Sequence, residues 1–337
     1  MPLAVRFSRF GIGNLRLEQL PSEALSAGTV RVAFAAVSLN HRDLLVIRGT
    51  YGPELPLPLI PCSDGAGMVV EVGGDAGGLA PGARVCTNMV PDWSDGPLEP
   101  RMRLTSLGGP AQGVLCEERV LPIGGVVPIP DALPFEEAAC LPVAGLAAWS
   151  ALTTEARIGP GSHVLLSGTG GVSVMGLGIA KAIGAQVGIT SSSDQKLARV
   201  GALGADFTVN YRNEGWAERV REWSGGGVDV VLDVGGGATL DQSVRTVRDG
   251  GLVALLGAAA SGGPPPDLAQ VLMRRIRLHG IFVGSRAELE RYVAFVAAHR
   301  VAPIIDRVFD GLGSARQAFA HLVSGRHLGK IVISFAR

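Results

Sequence analysis

Residues 164–193 read VLLSGTGGVSVMGLGIAKAIGAQVGITSSS. Val164, Leu165 and Leu166 form an apolar run too short for a helix and suited to a strand buried on both faces. Gly168, Thr169, Gly170 and Gly171 break it. Beyond them Val172, Met175, Leu177, Ile179 and Ile183 favour a buried helix stopping at Gly184, and residues 186–190 make a second strand. Strand, glycine turn, helix and strand within about thirty residues is the layout of a dinucleotide-binding unit. Its glycines let the backbone approach a pyrophosphate, and the helix N-terminus offers free N–H groups to the charge. Gly168, Thr169, Gly170, Gly171, Val172 and Ser173 are therefore the candidate phosphate-binding residues. Ser173 replaces the usual third glycine, so helix and strand are expected to sit slightly further apart. A glycine-rich turn in some other α/β domain is the plain alternative, and the flanking elements argue against it.

The whole chain sets wider bounds. At 337 residues it can bury a sizeable core, and two domains are expected. Thirty basic and thirty acidic residues cancel, so no nucleic acid or other polyanion is implied as a partner. Only three of the thirty basic residues are lysine. The longest span without an acidic residue, lysine or arginine, residues 158–180, holds Pro160 and seven glycines, which argues against a membrane helix. Arg6 and Arg9 interrupt the start and no continuous apolar core follows, so no signal peptide is expected. Cys62, Cys86, Cys116 and Cys140 match no zinc or redox spacing, and reduced thiols in a cytoplasm are the expectation.

Upstream of the central unit the chain is rich in short strands. Residues 4–10, 15–20 and 30–37 are β-like, 41–48 read as a helix capped by Asn40, and 56–85 alternate strand-like runs with glycine turns. That pattern predicts a compact β-domain. Residues 89–112 read as a long loop, and 131–154 as helices broken at Pro142. Downstream, helices are expected over 196–203 and 216–223, and strands over 207–209, 228–234, 252–256, 277–283 and 330–334. In an open parallel sheet ligands lie beyond the carboxyl ends of the strands, so Val234, Gly235, Leu256 and Gly257 are candidates for the cofactor. Ordinary turn chemistry also calls for glycine there.

Two further runs carry a resemblance. Asp64-Gly65-Ala66-Gly67-Met68-Val69-Val70-Glu71-Val72-Gly73, followed by Pro81-Gly82-Ala83-Arg84-Val85, is similar to the signature of the medium-chain dehydrogenase/reductase superfamily. Val90-Pro91-Asp92-Trp93 and Leu107-Gly108-Gly109-Pro110 resemble its zinc-independent, alcohol dehydrogenase-like members. The resemblance implies an α/β fold: a GroES-like β-domain over residues 1–125 and 285–337, and a doubly wound, parallel-sheet Rossmann domain over 126–284. It also implies a homodimer paired through the last strand of the sheet.

On that resemblance, the zinc-ligand positions of zinc-dependent relatives fall on Asn40, Ser63 and Ala144, and the loop 89–112 lacks the four cysteines of a structural zinc. No metal is expected. Asn40 and Tyr51 are the catalytic candidates, because hydrogen-bond donors must then stabilise developing charge. Asn40 as a helix cap and Tyr51 as a loop residue shielding the core are the simpler readings. His41 occupies a place where some relatives touch the pyrophosphate, and Phe282 and Val283 end the last expected strand, near the cofactor. NADPH is the expected cofactor: where an NAD-specific unit carries Asp or Glu, this chain reads Thr190-Ser191-Ser192-Ser193. Lys196 and Tyr211 resemble the residues that hold a 2′-phosphate in quinone oxidoreductases, and Arg326 is a further candidate. The leading expectation is NADPH-dependent reduction of an enone or quinone. A metal-free alcohol or carbonyl dehydrogenase is the second reading, and a non-catalytic NADPH sensor the third.

Overall fold

The computed structural model describes residues 1–52, 55–257 and 262–335. In chain order, strands β1 (Leu3–Arg6), β2 (Arg16–Gln19) and β3 (Thr29–Leu39) lead into helix α1 (His41–Arg48). Helix α1 spans the expected residues and ends at Gly49, whose φ of 73° is a left-handed conformation that suits glycine. Strands β4 (Asp64–Gly73), β5 (Arg84–Thr87), β6 (Glu118–Pro122) and β7 (Val126–Pro128) follow, with a 3₁₀ turn, Pro100–Thr105, in the long loop. Helices α2 (Phe135–Ala138) and α3 (Leu146–Trp149) alternate with the wide turns Leu141–Gly145 and Ser150–Glu155. Pro142 sits at the start of the first wide turn and leaves the helical path continuous.

Next come β8 (His163–Leu166), α4 (Gly171–Ile183), β9 (Gln186–Ser191), α5 (Asp194–Ala202), β10 (Phe207–Asn210) and α6 (Trp216–Trp223). Then β11 (Val228–Asp233), α7 (Leu240–Thr246), β12 (Val247–Leu255), α8 (Leu268–Met273) and β13 (Arg277–Gly280) complete the alternation. The chain closes with α9 (Arg286–His299), β14 (Ile305–Asp310), α10 (Ala315–Val323) and β15 (Lys330–Ser334).

Two compact units result: Met1–Leu146 with Ser285–Arg337, and Ala147–Gly284. The first unit continues beyond residue 125. Strand β7 pairs with β5, and α2 packs on β3, β4 and β15, so this stretch finishes the β-domain instead of opening the next one. Strand β13 also stops at Gly280 rather than at residue 283, leaving Phe282 and Val283 beyond the sheet.

The first unit is a seven-stranded sheet in the order β14-β15-β3-β4-β5-β7, with β6 paired to β3 and a separate β1-β2 hairpin. Strand β3 is its hub. Its contact with β4 requires Gly67, because a Cβ there would collide with Ala33 O. Phe7, Leu15, Ile47, Leu121 and Phe319 fill the core beneath. The second unit is a six-stranded, all-parallel sheet in the order β10-β9-β8-β11-β12-β13. Counted within the unit this is 3-2-1-4-5-6, the doubly wound dinucleotide-binding order, and it reverses between β8 and β11.

Candidate active site

Strand β3 is buried through its last residues, and its junction with α1 gathers charge. Asn40 keeps an extended backbone, and its N–H donates to Asp43 Oδ2 at 2.8 Å, so Asp43 closes the helix start from within. The Asn40 carboxamide oxygen is taken from another direction. Lys330 Nζ, on β15, donates to Asn40 Oδ1 at 2.6 Å and to Leu39 O at 2.9 Å. Asp64 Oδ2 lies 3.8 Å from the same ammonium, so three acceptors face its three hydrogens. Ser63 Oγ donates to Asp64 Oδ1 at 2.9 Å.

Arg42 forms the other half of this cluster. Its Nη1 donates to Leu107 O and its Nη2 to Gly109 O, both at 2.9 Å, and Asp43 Oδ1 stands 3.5 Å from Nη1. That leaves Nε, which donates to the Tyr51 hydroxyl at 3.3 Å while the guanidinium lies 4.7 Å above the Tyr51 ring. Two buried cations thus oppose two buried carboxylates. Burial pushes Asp43 up to about 6, opposed chiefly by Arg42, and it raises Asp64 too, opposed chiefly by Lys330. Cys62 adjoins them with a left-handed φ of 69°, its thiol pushed well above its ordinary range by burial and then by Asp43 and Asp64. The loop carrying the acceptors of Arg42 presses on it: a Cβ at Gly108 would stand 2.6 Å from the Cys62 carbonyl.

In the second unit the candidate residues line the carboxyl edge of the parallel sheet. Gly168 adopts φ 79°, and its N–H donates to Thr190 Oγ1 at 3.2 Å, tying the turn after β8 to the end of β9. The side chain that replaces the third glycine is buried, and Ser173 Oγ donates to Ser167 O at 2.8 Å. The closest helix–sheet approach comes one turn later. A Cβ at Gly176 would lie 3.1 Å from Leu166 and 3.3 Å from Leu232, so Gly176 is a packing glycine of α4. At the end of β9, Ser191 Oγ accepts from Ser193 N and Ser193 Oγ accepts from Lys196 N, both at 3.3 Å, which makes Ser193 the cap of α5. Tyr211 follows β10, exposed, its N–H donating to Ser191 O at 3.1 Å.

Asp233, the last residue of β11, organises the next turn. Its Oδ1 accepts from Gly235 N and Gly236 N at 2.9 Å and from Thr239 Oγ1 at 2.7 Å, and its Oδ2 accepts from Ser243 Oγ at 2.6 Å. Leu256 N donates to Asp233 O at 2.8 Å, and a Cβ at Gly257 would lie 2.7 Å from Val234 O. Val234, Gly235, Leu256 and Gly257 therefore form one close-packed pair of turns. His41 and Arg326 are exposed on the first unit, on α1 and before β15.

Arg42, Lys330 and Asp233 escaped the sequence reading. Lys330 left the clearest trace: one of three lysines in the chain, set in the apolar run LGKIVI.

Comparison with known proteins places the chain. Residues 26–131 match the alcohol dehydrogenase GroES-like domain and 171–298 the zinc-binding dehydrogenase domain. A zinc-type alcohol dehydrogenase-like protein of Schizosaccharomyces pombe is 38% identical over 332 residues, covering 96% of each chain. The crystal structure of a putative alcohol dehydrogenase from Sinorhizobium meliloti superposes with a TM-score of 0.93 at 38% identity, covering 99% of this chain and 98% of that one. That of an NAD-dependent alcohol dehydrogenase does so with 0.90 at 34% identity, covering 99% of each. The chain is a medium-chain dehydrogenase/reductase. Within that superfamily it is an alcohol dehydrogenase-like oxidoreductase.

The family matched by residues 171–298 carries zinc in its name, and the resemblance puts the ligand positions of zinc-dependent relatives on Asn40, Ser63 and Ala144. At the ligand positions, Asn40 has its oxygen committed to an ammonium, Ser63 is committed to Asp64, and Ala144 has no donor. Among the described residues no group of three or more His, Cys, Asp or Glu could hold a metal ion. None of the described helices is long and apolar enough to cross a membrane.

Proposed function

We propose that this dehydrogenase/reductase is a metal-free, NADPH-preferring enzyme that interconverts an alcohol and its carbonyl compound. The observation that carries the reading is the Arg42–Tyr51 pair. Tyr51 accepts from Arg42 Nε, so its own O–H hydrogen is left to point elsewhere and to donate. A bound nicotinamide supplies the hydride. As a hydride reaches the carbonyl carbon and the C=O double bond becomes a C–O bond, Tyr51 donates its proton to the oxygen. The tyrosinate left behind forms against the Arg42 cation and regains a proton from solvent. Asn40 is the second donor to that oxygen. Alcohol dehydrogenase names among the relatives support a C=O substrate. The same two donors would equally serve the enolate oxygen of an enone, and the position of Tyr51 after α1 favours that second reading.

The preference for NADPH rests on the hydroxyl-rich end of β9 and on Lys196 and Tyr211, with no carboxylate among residues 190–193. Capping by Ser193 is compatible with phosphate binding. A homodimer is supported by β13, an edge strand that pairs with β12 among the described residues, and by Leu268, Leu272 and Met273 of α8, which stand 69%, 75% and 80% exposed. NADPH and NADH oxidation should be followed against aldehydes, ketones, enones and quinones, with product analysis. Alcohols from aldehydes or ketones support the main reading. Saturated ketones from enones move the assignment to the second.

A further inference from the structure

Lysine can only donate, so the Asn40 oxygen must face Lys330 and the amide hydrogens must face away from it. Asn40 is 7% exposed, and although Asp64 lies close enough to draw on the amide, its Nδ2 completes no hydrogen bond among the described residues. A buried donor left in that state is costly unless something outside the fold accepts from it. Asp64 attracts the amide, and its Oδ2 is likewise without a hydrogen bond, yet the two close none. The ammonium itself is bonded more closely to the amide, at 2.6 Å, than to the carboxylate, at 3.8 Å. A cation placed there to neutralise Asp64 alone would show the opposite order.

The rest of the junction is equally fixed. The Asn40 backbone is held by Asp43, and Leu39 O takes a second hydrogen of the ammonium. Donation from a cation into an amide oxygen also withdraws charge from the amide nitrogen, which strengthens the outward N–H as a donor.

We propose that Lys330 is a positioning residue of the active site: by holding Asn40 Oδ1, it presents the Nδ2 hydrogens as a preoriented donor to the substrate oxygen that gains negative charge. This rests on the function proposed above and adds to it a residue from the far end of the chain. Whichever oxygen-bearing substrate the wild type reduces will serve as the probe.

The test is a double-mutant cycle of Lys330→Met and Asn40→Ala, read in kcat. Each single change should lower kcat by about tenfold or more, with KM for NADPH moving less than about twofold. In the Asn40→Ala background, Lys330→Met should lower kcat by less than about twofold further, because it acts through a group already removed. Losses that multiply independently overturn the proposal. Should Lys330→Met fail to fold, the wild type labelled with ¹⁵N-asparagine gives the second readout. The side-chain amide signal that disappears in Asn40→Ala should shift when a carbonyl substrate joins the NADP⁺ complex, and an unmoved signal overturns the assignment. A wild type that reduces no member of the panel takes down both readings. An active wild type with independent losses takes down only Lys330.

Discussion

The two domains solve the problem of holding charge by opposite means. Around the turn after β8, the second domain relies on backbone: glycines at 168, 170 and 171, a helix start, and hydroxyls that tie turn to turn. In the neighbouring turn after β11, the charged Asp233 is spent on structure, receiving two N–H groups and two hydroxyls. The first domain instead buries whole charged side chains, Arg42, Asp43, Asp64 and Lys330, and balances them against one another. A backbone site does not depend on a balance of side-chain charges. A balanced quartet does, because removing one member strands its partner.

The sharpest way to break that contrast is Lys330→Ala. It leaves the Asn40 oxygen and Asp64 without their cation, and a loss of about 3–5 kcal/mol is expected. Urea denaturation near neutral pH measures it, and a loss below about 1 kcal/mol would mean the quartet is not balanced as described. Asp233→Ala tests the second domain on its own terms. Four donors lose their acceptor, and about 3 kcal/mol of stability should go with them. If melting barely moves, that turn is held by its glycines alone.

Tyr51→Phe should lower kcat about 10²-fold and leave KM for NADPH nearly unchanged. Steady-state kinetics on the best substrate decide it, and a fall below about threefold removes the phenol from the mechanism. Lys196→Ala should reduce the NADPH/NADH ratio of kcat/KM about tenfold, equivalent to about 1.4 kcal/mol. An unchanged ratio would point to other residues for the 2′-phosphate.

The smallest effect is a slope with pH. The carboxyl of Asp43 titrates at about 6 in the folded protein, above its unfolded range, so between about pH 4 and 6 the folded state holds more protons. Stability should therefore fall as pH rises through that window, by less than about 1.4 kcal/mol per unit from this one group. Asp43→Asn should lack this contribution. Parallel stability–pH curves for variant and wild type would contradict the burial argument.

The contrast between the domains also decides what could be read from the sequence. A glycine turn is local, so its spacing exposes it, and the ends of α1 and α6 follow from short-range capping and periodicity. The quartet is not local: Asp64 and Lys330 come from β4 and β15, and only pairing through β3 brings them together. Arg42 reads as one more helix arginine until the carbonyls of Leu107 and Gly109 close around it. The domain boundary was missed for a similar reason. Residues 131–146 look helical and apolar, and nothing local says which sheet they will cover. Gly176 was passed over because a helix-interior glycine has no turn to announce it.

Strand β15 has a consequence for how the protein comes into being. On the ribosome β3 and β4 emerge early, carrying Asn40, Asp43 and Asp64, while Lys330 emerges only after the whole nucleotide-binding sheet has been made. Until then the first domain lacks both a central strand and the ammonium that faces its acids. The second domain is continuous in sequence and can close while the first waits, half built, for its last cation.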